Sequence, residues 1–127
     1  MTFYKAFTKQ LQCRDMTYQY GEHNIIDRSR KLVICEYGIH FCDNLLNCLN
    51  YYPLDSVFYE ILPFGEVIKG DGKYCCYDII LVKQITEFDE DFYIKAVKQN
   101  GLSIEFIENP SENERMEADK QLGWSIP

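Results

Sequence analysis

Residues 56–82 read SVFYEILPFGEVIKGDGKYCCYDIILV, and they decide the fold. SVFYEIL and KYCCYDIILV are runs rich in aromatic and β-branched residues, the composition of strands. Gly65 and the Gly70-Asp71-Gly72 triplet punctuate the link between them, as a hairpin requires. An antiparallel pair is therefore predicted near the middle of the chain. Toward the N-terminus, TFYKAFT (2–8) alternates and reads as an opening strand, and MTYQY (16–20) repeats the pattern before Gly21. A polar loop covers 21–31. LVIC (32–35) is a short apolar run, buried whichever way it folds, and Gly38 breaks it. DNLLNCLNYY (43–52) opens on Asp43 as N-cap and carries Leu45, Leu46, Cys48 and Leu49 at helical spacing. Pro53 bounds that helix to about two turns, because the residue before a proline is pushed toward extended geometry.

Toward the C-terminus, DEDFYIKAVKQNG (89–101) has acids first, lysine late and glycine last, the order that suits a helix dipole. LSIEFIE (102–108) alternates like a strand. In the closing segment Ser111 and Glu114 have capping-box spacing ahead of a helical run. Strands and short helices in irregular order give an α+β fold: a single small domain, mainly antiparallel sheet with two or three short helices. The expected boundaries are a domain over 1–107 and an acidic helical segment over 108–127, packed on it or extending from it.

The chain of 127 residues is long enough to bury a core without staples, and 46% hydrophobic with 15% aromatic residues excludes a disordered polymer. A net charge of −7 argues against gripping nucleic-acid phosphates and suits a partner with a basic surface. The N-terminus has no apolar run of signal-peptide length, and no stretch approaches the roughly 20 apolar residues of a membrane span. A cytoplasmic location is expected. Six cysteines there point to metal binding or core packing in preference to disulfides.

CEYGIHFC (35–42) crowds two cysteines and a histidine into eight positions. His40 and Cys42, two apart, leave an extended segment on the same face, and Gly38 lets the chain turn so that Cys35 can approach them. Zinc in a structural site takes four such N or S ligands. Cys13, in a polar stretch, is the first candidate for the fourth. Cys48 reads as core. Cys75 and Cys76, adjacent on a strand, point to opposite faces; one is core, and the other is exposed or joins His23 at a second ion. The alternative is plain burial, since free cysteine is among the most buried residue types and His40 can be a satisfied core histidine. On spacing alone both stay open.

CRDMTYQYGE (13–22), ICEYGIHFCDNLLNCLNYYP (34–53) and VFYEILPFGEV (57–67) resemble a domain of unknown function found in small proteins of phages and mobile elements. The resemblance covers roughly residues 2–85 and falls away after Phe88. Carried over position by position, it implies that Cys13, Cys35, His40 and Cys42 hold a structural Zn2+ and that the fold is zinc-stabilised. Size, acidity and the Cys/His block are also similar to those of type II-A anti-CRISPR proteins, which inhibit Cas9. That likeness implies an inhibitor in the bacterial host cytoplasm, docking on the basic channel or recognition lobe so that target DNA does not load. The contact residues would be Glu87, Asp89, Glu90 and Asp91 with Glu112, Glu114, Glu117 and Asp119. For a different class of function, GIHFCDNLLNCLNYY followed by VFYEI resembles the strand-helix-strand segment of small ADP-ribosyltransferase-like folds, which implies Glu60 as the residue to suspect; its plain reading is a residue on the solvent side of an edge strand. A third possibility is a structural zinc module for another host partner.

Overall fold

A computed structural model describes residues 1–123. Its frame is the pair predicted from residues 56–82. Strand β6 (Val57–Lys69) and strand β7 (Tyr74–Ile85) form a long antiparallel ribbon through the turn at 70–73. Gly65 sits inside β6, where the register shifts between Phe64 and Val67, so it marks a bulge and not the link between strands. A second shift between Glu60 and Ile61 bends the ribbon further. Strand β1 (Phe3–Phe7) pairs with β6 on its other side, from Phe3 opposite Ile61 to Phe7 opposite Val57. On the free side of β7 lie two short strands in succession, β4 (His23–Ile25) opposite residues 78–80 and β5 (Ile39–Phe41) opposite 74–76. Strands β2 (Gln12–Cys13) and β3 (Met16–Thr17) form a separate small hairpin.

The bent sheet closes on itself. An antiparallel bridge joins Tyr4 of β1 to Cys42 at the end of β5, with the Tyr4 amide donating to the Cys42 carbonyl at 2.7 Å and the reverse bond at 2.9 Å. Inside the curl, Phe7, Tyr18, Ile39, Phe41, Ile61, Cys76, Ile79 and Leu81 pack into one core. On the outer face a second core forms around Ala6, Cys42, Cys48, Leu49, Phe58, Phe92 and Val97. The helices supply Cys48, Phe92, Ala96, Val97 and Ala118 of it. Helix α1 (Leu45–Cys48) is one turn, capped by Asn44 and not by Asp43, whose carboxylate accepts from the Tyr74 hydroxyl. Helix α2 (Glu90–Gln99) is capped by Asp89 and buries Phe92, Ala96 and Val97. Residues Gly101–Phe106 form a 3-10 helix instead of the expected strand; Asn100 caps it, and the buried Gly101 and Ser103 leave no alternating apolar face. Helix α3 (Glu112–Leu122) follows, with the capping box of Ser111 and Glu114 in place and Ala118 buried against the rest. The chain is thus a small α+β domain with an antiparallel sheet and a few helices. Within the segment placed at 108–127, residues up to 123 pack on the domain and 124–127 lie outside the described residues.

Run LVIC forms a turn and is buried only in part: Leu32 is buried, whereas Val33 pairs with Tyr37 across a tight reversal and is exposed. Gly38 makes the reversal possible. Its φ of +141° is unfavourable for any side chain, and an added Cβ would lie 2.8 Å from the Cys75 Cβ.

Candidate functional site

The seam where β1 meets β5 carries a pocket of about 280 Å³. Its lining comes from six places: Tyr4, Lys5 and Ala6 on β1, Cys13 and Arg14 on the β2–β3 hairpin, Cys35 on the turn, His40, Phe41 and Cys42 at β5, Cys48, Tyr51 and Tyr52 on α1 and just after it, and Lys73 on the β6–β7 turn. All four residues read as zinc ligands therefore face one cavity. Cys48, read as core, is buried and also reaches it.

Within that cavity each donor has a partner of its own. The Tyr52 hydroxyl donates to Cys13 Sγ at 2.8 Å, and the Lys73 ammonium donates to Cys35 Sγ. His40 Nε2 accepts from the Cys35 amide at 2.8 Å while Nδ1 lies 3.0 Å from the Gly38 carbonyl, so the proton belongs on Nδ1. The neighbouring thiols of Cys42 and Cys48 act on each other, which lowers the Cys42 pKa and, with burial, raises that of Cys48. No group of three or more His, Cys, Asp and Glu side chains is arranged to hold a metal ion among the described residues. The four residues share a cavity without sharing a coordination point.

The pocket is electropositive. Lys5, Arg14 and Lys73 line it, and no Asp or Glu does among the described residues. Its depth and mouth differ: Lys5, Ala6, Phe41, Cys42 and Cys48 are buried, while Arg14, Cys35 and Tyr51 are exposed. Lys5 is only 5% exposed. Its amine donates to the His40 carbonyl and lies 5.6 Å and 5.8 Å from the Phe7 and Tyr18 rings, with no ion-pair partner among the described residues. Burial lowers the Lys5 pKa below the usual lysine value, and the neighbouring Cys13 opposes that shift. His40 is pushed down to about 4, first by burial and then, against the Gly38 bond, by Arg14, Lys5 and Lys73. It is neutral at physiological pH.

Two lining residues, Arg14 and Cys35, have positive φ, 58° and 69°. Non-glycine residues rarely adopt that conformation, and such outliers gather at functional sites. The Arg14 guanidinium also reaches the Cys35 carbonyl at 3.5 Å. Sequence reasoning passed over Lys5, Arg14, Tyr52 and Lys73. Lys5 carried a readable signal: in FYKAF it shares the strand face of Phe3 and Phe7, a charge placed where the alternation calls for an apolar residue.

The other expected sites are not assembled. His23 Nδ1 lies 2.9 Å from the Asp78 carboxylate, which Arg28 also approaches at 3.6 Å. Cys75 and Cys76 are buried on opposite faces of β7; Cys75 donates to the Tyr37 carbonyl and Cys76 to the Asp78 carbonyl. These three do not converge because His23 sits opposite Ile80, away from the Cys75-Cys76 step. Glu60 is on a central strand, between Tyr4 and Lys83, not on the edge position expected for it. Among the acids, Glu87, Asp89, Glu90, Asp91 and Glu112 are exposed and Glu117 and Asp119 half-buried. Glu114 departs from the expected contact set: it is 5% exposed because its carboxylate accepts from the Ser111 amide. A bond from the Ser111 hydroxyl to Glu90 at 2.6 Å brings the two acid groups onto one edge.

The model of a family described as a domain of unknown function (DUF7666) matches residues 1–92. No curated protein and no solved structure matches the chain. The matched span contains every residue that lines the seam pocket.

Proposed function

The chain belongs to the DUF7666 family, a domain of unknown function, and from that premise we propose that it is a binding domain for a small anionic ligand. One observation carries the reading: among the described residues, three cationic side chains and no carboxylate line a partly buried pocket in a protein of net charge −7. A buried ammonium with no acidic partner is costly, and an anion entering from solvent supplies the missing charge. Arg14 at the mouth offers a planar fork for a phosphate or carboxylate, and Lys73 a second positive charge. Apolar walls from Ala6, Phe41 and Tyr4 suit the body of such a ligand. Inorganic pyrophosphate and ADP are the first probes. Calorimetry is expected to give saturable binding that weakens with salt and falls about tenfold in Arg14→Ala or Lys73→Ala. Equal affinity in both variants overturns the reading.

A second reading is that Cys13, Cys35, His40 and Cys42 hold a structural zinc ion. The meeting of all four at one pocket favours it. It requires His40 to release the Cys35 amide, Cys13 to release Tyr52 and Cys35 to release Lys73. Zinc bound this way would supply folding free energy and no open position for chemistry. Elemental analysis separates the two: one zinc per chain, lost in Cys35→Ser, supports this reading and displaces the first.

A further inference from the structure

We propose that Lys5 holds a small carbonyl compound bearing an anionic group by forming an imine with it at the bottom of the seam pocket. The proposal rests on the anion-binding reading of the same pocket and names the ligand's reactive end.

The geometry separates two tasks. Arg14 and Lys73 lie toward solvent, where an anionic group enters. Lys5 lies beneath them, its stem packed near Phe7 and Tyr18 and its amine turned to the His40 carbonyl. A lysine becomes a nucleophile where desolvation and neighbouring cations disfavour its ammonium form. Lys5 meets the first condition by its position, 5% exposed against the Phe7 and Tyr18 rings, and Arg14 and Lys73 line the same pocket. A lysine serving only as a fixed positive charge is expected to have a carboxylate partner when this deeply buried, and Lys5 has none among the described residues.

The step balances without an oxidant or reductant. The ammonium first gives a proton to solvent. The Nζ lone pair then bonds to the carbonyl carbon while the C=O π pair moves onto oxygen. A proton passes from nitrogen to that oxygen, giving a carbinolamine. Loss of the oxygen as water, taking the second proton, leaves the C=N bond. The net change is amine plus aldehyde to imine plus water, and it is reversible.

Glyoxylate, an aldehyde with a carboxylate, is the probe. The full chain is incubated with it and cyanoborohydride near neutral pH, so that any imine is fixed as a secondary amine, and sites are mapped by peptide mass spectrometry. Lys5 is expected to carry at least tenfold more adduct than the exposed Lys9, Lys31 or Lys83. Pyrophosphate is expected to slow labelling of Lys5 and leave Lys9 unchanged, a comparison that needs no variant. Labelling of Lys5 no greater than of Lys9 overturns the imine. If pyrophosphate still binds in that case, the anion pocket stands without it; if it does not, both readings fall together.

Discussion

Replacing Lys5 by Met tests whether the buried amine serves the fold or the pocket. Methionine keeps most of the stem's volume, so packing against Phe7 and Tyr18 is largely preserved. The bond to the His40 carbonyl is lost, a net cost of about 0.5–1.5 kcal/mol. Against it stands relief from burying the amine without an ion-pair partner, worth about 1–3 kcal/mol for an imperfectly compensated polar group. The two nearly cancel, so Lys5→Met is expected to melt within about 4 °C of the parent, on either side. The same variant is expected to bind pyrophosphate at least tenfold more weakly. Circular-dichroism melts and calorimetry on one preparation read both quantities. A fall of more than about 8 °C refutes the reasoning, for it would mean that the amine serves the fold, with the Cys13 sulfur as the neighbour at hand.

Gly38→Ala is expected to cost more than about 2 kcal/mol, since its φ is +141° and the new methyl would press on Cys75, and a melt equal to the parent's would refute that. His40, held at about 4 in the fold against about 6.5 when free, contributes stability that is complete above pH 6.5 and lost as pH falls through 4. After allowance for its half-exposed position that loss is about 1–2 kcal/mol, and urea titrations of parent and His40→Gln across this window measure it. As a separate proposal, the Cas9-inhibitor reading predicts that Glu87→Lys with Asp91→Lys weakens inhibition of DNA cleavage several-fold at low salt while the melt is unchanged. Undiminished inhibition by that variant, or none by the parent, removes it.

The ribbon was legible because its residues are rich in β-formers on both sides of a glycine turn. Helix α2 was legible through its acids first and lysine last, and α3 through the Ser111 capping box. The 3-10 helix was not: LSIEFIE alternates like a strand, and only the Asn100 cap and the burial of Gly101 against Leu122 decide otherwise. At the site, the residues of the Cys/His block and Cys13 line one pocket, without meeting at a coordination point among the described residues. The cations that give the cavity its character were not found, because Lys5, Arg14 and Lys73 are isolated in sequence and meet only when the sheet closes. Glu114 was misplaced for a related reason. A capping box had been read there, yet its acid was still counted as a surface charge, although a carboxylate bonded back to the chain is turned away from any partner.

The paired bonds between Tyr4 and Cys42 bear on the order in which the molecule assembles. The long ribbon joins neighbours in sequence, so it can zip early, whereas the clasp at the seam unites distant stretches and must wait for loop closure. A guest lodged across that clasp would act as a buckle on the part that fastens last. Hydrogen exchange at the Tyr4 and Cys42 amides would then slow more on ligand addition than exchange in the middle of the ribbon, and occupancy could be followed without any signal from the guest itself.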